Sequence, residues 1–345
     1  MKDNDRYWTC LDHAMEASNG GRTQEALAWL DEALRENPNG AEAHNGRGEI
    51  LWDAGKVEEA LYQFELAGMA DPKYVTAHLN RAEILIEEMG EFEQAIAQCD
   101  LLLAGGGELP RPDRSTEGEL YYLKSKALFY LDDLEGALFL VRRAIQTAGD
   151  VAVYRAFEGQ IEFELGRFGE ARRHLDQAVA LDPESAHAVW HLGLVLERLG
   201  EDEKAEQAFR HANALDPEHY PLPRPVDEET FQRAAAEALA DLPRSIREYV
   251  EHVPLLIRDF PEGDLLADYD VSPQILGLFL GVPRTEAAVT EQAKHVDRVI
   301  LFKRNLEKMC RTRAELVEQI QVTVKHEIGH YLGLDEDDLE RLGLA

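Results

Sequence analysis

Close to the end of the chain, Lys325-His326-Glu327-Ile328-Gly329-His330-Tyr331-Leu332-Gly333 sets two histidines four residues apart, with a glutamate beside the first. On a helix, side chains four apart are neighbours, their Cβ atoms about 5–6 Å from each other. Two imidazoles that close can share one zinc ion through bonds of about 2.0–2.1 Å. The glutamate is then placed to take a proton from the metal's water. With 12 histidines in 345 residues, an H-E-x-x-H arises by chance in on the order of one such chain in twenty. The surroundings must therefore decide.

A helix is well marked around the motif. Thr312 and Glu315 form a capping-box pattern, Leu316, Ile320, Val324, Ile328 and Leu332 make an i, i+4 stripe, and Gly333 is placed to stop the helix. At about 100° per residue, His326 and His330 lie roughly 140° from the centre of that stripe, away from the face the helix buries. Glu327 lies between stripe and histidines, and the reading sets it near the mouth of the cleft they line.

Zinc in a catalytic site usually takes three protein ligands and a water. Fifteen residues follow His330, none of them methionine. The reading therefore expects neither a ligand on a distant downstream helix nor the Met-turn of the metzincins. The acidic run Asp335-Glu336-Asp337-Asp338 comes directly after the turn at Gly333. The spacing H-E-x-x-H-x-x-G-x-x-H puts a third ligand at position 336, and Glu336 is the first choice, with Asp337 and then Asp335 behind it. The competing reading has these acids capping a following helix over residues 339–342.

Upstream, the chain is periodic. Ala26, Ala60, Ala137, Ala171 and Ala205 each stand seven residues before a second alanine, Ala33, Ala67, Ala144, Ala178 and Ala212. A further unit from Ala95 has Leu102 in that place, and the six first alanines are spaced 34, 35, 42, 34 and 34 apart. Pro38, Pro72, Pro183 and Pro217 fall twelve residues after the first alanine in four units, where proline ends a helix. Gly48, Ala82, Gly159 and Gly193 allow close approach of the first helix of a pair, and Leu30, Phe64, Leu175 and Phe209 fill the gap. This pattern resembles the tetratricopeptide repeat, a 34-residue helix pair, in about six units over residues 1–219.

That resemblance implies an all-α superhelical solenoid whose concave face takes a protein or peptide ligand. Its ligand is not named by the sequence. Trp8, Trp29, Trp52 and Trp190 are expected to pack. The long third spacing comes from the Gly/Pro-rich stretch 104–117, read as a surface insertion or, more sharply, as a hinge between two blocks of three repeats.

Composition bounds the partners. There are 67 Asp and Glu against 36 Lys and Arg, a net charge of −31, which opposes binding to nucleic acid or an anionic membrane. No window approaches the about 20 apolar residues of a membrane span. Met1-Lys2-Asp3-Asn4-Asp5-Arg6 leads into no apolar run, so no signal peptide is expected. The three cysteines, Cys10, Cys99 and Cys310, have no C-x-x-C spacing and are expected to be buried thiols of a cytoplasmic protein.

Periodicity ends at Asp216-Pro217. The alternate prolines of Tyr220-Pro221-Leu222-Pro223-Arg224-Pro225 read as an extended linker over 220–227. Residues 228–345 read as a small α+β domain: a helix over 228–250 interrupted near Pro243, short strands over 253–260, 276–282 and 298–302, loops over 261–275 and 283–297, and the last helix. Leu278-Phe279-Leu280-Gly281-Val282-Pro283, Ile300-Leu301-Phe302-Lys303-Arg304-Asn305-Leu306-Glu307 and Val324 through Gly333 resemble the small bacterial zincin-like metallopeptidase domains that end in H-E-x-x-H-x-x-G and an acidic residue. The resemblance implies a zinc peptidase, its metal held by His326, His330 and a carboxylate, with Glu327 as general base.

Three functions compete. The first is a zinc-dependent peptidase that hydrolyses a peptide substrate, with a repeat domain that recruits substrate or partner. The second is an interaction scaffold with a structural or vestigial zinc site. The third is a metal-dependent hydrolase of a non-peptide bond.

Overall fold

The computed structural model describes residues 3–107, 109–240, 253–269, 271–281 and 298–334, with the single residues 244, 247 and 341. The chain divides into two compact units, 1–161 and 162–345. Twelve helices come first, in six successive pairs: α1 (Asp3–Asn19) and α2 (Thr23–Glu36), α3 (Ala41–Asp53) and α4 (Val57–Ala70), α5 (Val75–Glu87) and α6 (Phe92–Ala104), α7 (Arg114–Tyr130) and α8 (Leu134–Ala148), α9 (Ala152–Glu164) and α10 (Phe168–Leu181), α11 (Ala186–Arg198) and α12 (Asp202–Leu215).

Each pair is built by the same local chemistry. The turn inside it puts one residue in the left-handed region: Gly21, Gly55, Gly90, Asp132, Gly166 and Gly200, with φ between 62° and 75°. Asp132 is the single non-glycine among them. The residue after the left-handed one donates back across the turn, as from Lys56 N to Leu51 O at 2.9 Å and from Glu201 N to Leu196 O at 2.9 Å, which satisfies carbonyls the helix would otherwise leave open. Between pairs, the residue before each proline closes the turn. The side chains of Asn37, Asp71, Asp182 and Asp216 accept from the backbone N–H two residues on, across Pro38, Pro72, Pro183 and Pro217.

The paired alanines are buried, and Leu102 stands in for the missing one. A Cβ on Gly48 would lie 2.5 Å from the Phe64 ring, and one on Gly193 would lie 2.6 Å from the Phe209 ring. The ring takes the space that a side chain on the first helix would need. Trp29, Trp52 and Trp190 are half-buried against His13, Phe64 and Phe209 respectively. Trp8 departs from expectation at 46% exposed, its ring lying edge-on to that of Tyr7.

The insertion after α6 does not divide the repeats. One core joins Ala95, Cys99 and Leu102 of α6 to Leu120, Leu123 and Ala127 of α7, with Leu109 of the insertion packed on it. The boundary between the compact units falls at 161/162 instead. Part of the added length extends α7, whose N-terminus is capped by Asp113 accepting from Thr116 N at 2.8 Å.

The second unit continues past α12. Residues 221–227 have no regular structure but are tied at both ends: Asn213 Nδ2 donates to Tyr220 O at 2.9 Å, and Val226 N donates to Glu307 Oε1 at 2.8 Å. Then come α13 (Glu228–Ala240), β1 (Leu255–Arg258), α14 (Gly263–Tyr269), β2 (Gly277–Leu280), β3 (Arg298–Phe302), α15 (Lys303–Met309) and α16 (Arg313–Leu332). The sheet order is β1-β3-β2, with β1 parallel and β2 antiparallel to β3. The rest of the expected helix over 241–250, and the expected loop over 283–297, lie outside the described residues apart from the single positions above.

As the central strand, β3 is buried on both faces. Val299 and Leu301 join Phe231, Ala234 and Ala238 of α13 and the stripe Leu316, Ile320, Val324 and Ile328 of α16. Ile300 and Phe302 point the other way, to Leu265 of α14. That second face corrects the expected loop over 261–275: a short helix forms there because two large side chains of β3 need cover. Cys10, Cys99 and Cys310 are free and buried, as expected. Among the described residues, no helix is long and apolar enough to cross a membrane.

Candidate active site

The histidine helix is fixed at both ends. Thr312 Oγ1 accepts from Glu315 N at 3.1 Å, and Glu315 Oε2 accepts from Arg311 N at 2.7 Å. At the far end Gly333 adopts the left-handed conformation with φ 81°, and Leu334 N donates to Gly329 O at 3.1 Å. His330 thus falls in the last turn, where the unpaired carbonyls carry partial negative charge and favour a cation.

Both histidines are half-buried and turned away from the stripe. Their rings lie edge to face, centroids 4.6 Å apart, and the two Nε2 atoms are 3.0 Å apart. A tetrahedral centre with Zn–N bonds of about 2.0–2.1 Å sets two ligand nitrogens about 3.3 Å apart. The pair therefore fits one zinc ion with a small ring adjustment. Among the described residues, no third His, Cys, Asp or Glu completes a group with them. Asp335, Glu336 and Asp337 lie outside the described residues, directly after Leu334 in sequence.

Glu327 is only 7% exposed, deeper than a cleft-mouth position. The reason is β2. A Cβ on Gly277, the first residue of that strand, would lie 2.8 Å from Thr323 Cγ2, 2.9 Å from Glu327 Cγ and 3.0 Å from Glu327 Oε1. The strand backbone thus rests directly on the α16 turn that carries the carboxylate. Thr323 is buried as well, its hydroxyl donating to Gln319 O at 2.9 Å. The sequence signal for this contact is a glycine inside an apolar strand, which marks a close backbone approach.

A cavity of about 630 Å³ opens elsewhere in the second unit, lined in part by Glu197, Phe209, Pro223, Lys303, Arg304 and Lys308. None of His326, Glu327 and His330 lines it. Its charged groups pair with one another: Lys308 Nζ is 2.6 Å from Glu197, and Lys303 Nζ is 2.7 Å from Glu307.

With this geometry in place, comparison with known proteins bears on both parts of the chain. The model of the zincin-like metallopeptidase family matches residues 250–344. The tetratricopeptide repeat model matches residues 11–71 and 158–219, the first two and last two helix pairs. The divergent third and fourth pairs fall between the matches.

Among solved structures, PilW, a type IV pilus biogenesis factor, is 17% identical with a TM-score of 0.53, over 63% of this chain and 95% of that one. PilF of Pseudomonas aeruginosa is 13% identical with a TM-score of 0.52, over 63% and 95%. The Cut9–Hcn1 hetero-tetramer of the APC/C is 16% identical with a TM-score of 0.53, over 61% of this chain and 40% of that one. At such identities these likenesses show the fold alone. No curated protein matches the chain. The chain carries tetratricopeptide repeats in its N-terminal region and a zincin-like metallopeptidase domain at 250–344, a mostly helical solenoid with a small three-stranded sheet region at its C-terminal end.

Proposed function

We propose that this chain is a zinc-dependent peptidase whose repeats recruit a protein substrate or partner in the cytoplasm. His326 and His330 hold the metal, with a carboxylate, Glu336 first, as third ligand. What a zinc ion supplies when held by such a set is Lewis acidity toward a carbonyl and a water that gives up its proton near neutral pH. Glu327 receives that proton and delivers it to the leaving amine. Its burial beneath β2 excludes bulk water from one side of the carboxylate and fixes its direction. Among the described strands β2 has only β3 beside it, and its outer edge is where an extended peptide would pair by strand addition.

The observation that supports this most directly is the convergence of the two Nε2 atoms at 3.0 Å, with Glu327 on the same turn against β2. The burial of Glu327 also favours a second reading, in which the metal is structural and the protein works as a binding scaffold. One comparison separates them. In the peptidase, Glu327→Ala abolishes hydrolysis of an unfolded protein substrate while zinc stays near one equivalent. If hydrolysis survives Glu327→Ala, the carboxylate is not the base and the proposal fails.

A further inference from the structure

The connection from β1 to β2, residues 259–276, leads into the strand that rests on Glu327. Within the second unit, both ends of this connection are held by side chains of the repeats. Arg198, the last residue of α11, places its guanidinium 4.1 Å from the centroid of Phe260 and donates to Pro261 O at 3.1 Å. The same guanidinium also donates to Pro273 O. Glu164, the last residue of α9, accepts from Ser272 Oγ at 2.6 Å and from Gln274 Nε2 at 2.6 Å. From inside the domain, Asn305 Nδ2 adds bonds to Pro273 O at 2.9 Å and Ile275 O at 2.8 Å. Gly277 follows two residues later.

The residue types suit the task. A planar guanidinium presents several donors in a fixed fork while its face lies on aromatic rings; an ammonium is a compact charge without that fork. Phe163 and Phe168 of the fifth repeat flank the same cation at 5.9 and 5.6 Å, and burial lowers its pKa to about 10, so it stays charged at neutral pH. Pro261 and Pro273 present carbonyls to the guanidinium at the two ends of the connection.

We propose that Arg198 and Glu164 are positioning residues for the cleft: they fix the 259–276 connection and, through it, the placement of β2 against Glu327. The fifth and sixth repeats are then a wall of the zincin-like domain as well as part of the solenoid. The functional half of this inference rests on Glu327 being the working carboxylate; the mechanical half, that repeat side chains hold β2, does not.

Hydrogen–deuterium exchange on the full chain tests it. Peptides spanning 272–280 should exchange at least about tenfold faster in Arg198→Ala, with α16 peptides over 313–330 and zinc uptake as in the parent. Arg198→Lys, which keeps the cation but not the fork, should fall between. Glu164→Ala should add nothing in a Ser272→Ala/Gln274→Ala background. Unchanged exchange over 272–280 in Arg198→Ala overturns the proposal, and so does acceleration spread evenly over 162–345, which would make Arg198 a general stability residue. Because exchange needs neither metal nor substrate, a parent that binds no zinc sinks the peptidase reading while the exchange result still decides this one.

Discussion

Gly277 and Glu327 touch across the helix–sheet interface so closely that a Cβ on the glycine would lie 2.9 Å from the glutamate Cγ. The same methyl would meet Thr323 at 2.8 Å, so neither side of the turn can yield freely. Gly277→Ala should therefore destabilise the second unit by about 1–3 kcal/mol, as overpacking does. Part of that loss should return when Glu327→Ala is added. Denaturant unfolding of the two variants and their combination checks this, and an unperturbed Gly277→Ala would mean the contact is looser than described.

Metal content is the most direct measurement on the histidine pair. Purified parent protein should carry near-stoichiometric zinc by mass spectrometry, and His326→Ala/His330→Ala should carry none. Of Asp335→Ala, Glu336→Ala and Asp337→Ala, the Glu336 variant should weaken zinc most, by at least the about 10–100-fold that losing an outer-shell partner causes. Equal affinity in all three would mean the third ligand lies elsewhere.

The repeats were legible because they rest on local rules applied six times. Alanine pairs, the Phe64 and Phe209 fillers and the proline stops all follow from helix geometry, and Leu102 replaces an alanine without changing the design. The strand over 298–302 and the capped helix from Thr312 to Gly333 were legible for the same reason. What the sequence hid depends on contacts distant in the chain. The seven residues of α14 are too few to show a period, and the helix exists because Ile300 and Phe302 need cover. Glu327 is buried because β2 lies on it, which a helical wheel does not reveal. Arg198 and Glu164 look like any charged residues at helix ends until the connection they hold is placed beside them.

Acid should find a weak point in the sixth repeat. His191 is buried, with Nδ1 3.0 Å from His187 O, and burial first, then the neighbouring His187, lowers its pKa from 6.5 to about 3. Below about pH 6.5 the unfolded chain binds a proton there that the folded chain refuses. The stability His191 contributes is present above that pH and is lost as pH falls toward 3, at up to about 1.4 kcal/mol per pH unit. Unfolding of the parent and His191→Asn between pH 7 and pH 4 should show the shallower slope in the variant. Parallel slopes would mean His191 does not govern the acid limb.

The ion pair between Lys308 and Glu197 joins α15 to α11 at 2.6 Å, and both side chains are about nine-tenths buried, 8% and 12% exposed. Burial pushes the Lys308 ammonium down and the Glu197 carboxyl up, so each charge is tolerated mainly because the other is present. Arg304, 3.7 Å from Glu197, gives the carboxylate a second, weaker partner. Lys308→Met leaves Glu197 with only the weaker influence of Arg304 and Arg198 and should cost about 3 kcal/mol, the lower end for a broken buried pair. Glu197→Gln/Lys308→Met removes both charges and should return stability to within about 1 kcal/mol of the parent, because neutral side chains of similar length need no counter-charge. A double variant less stable than Lys308→Met would show that the pair is net stabilising, and that the α11–α15 contact depends on its charges rather than on the packing around Phe209 and Phe260.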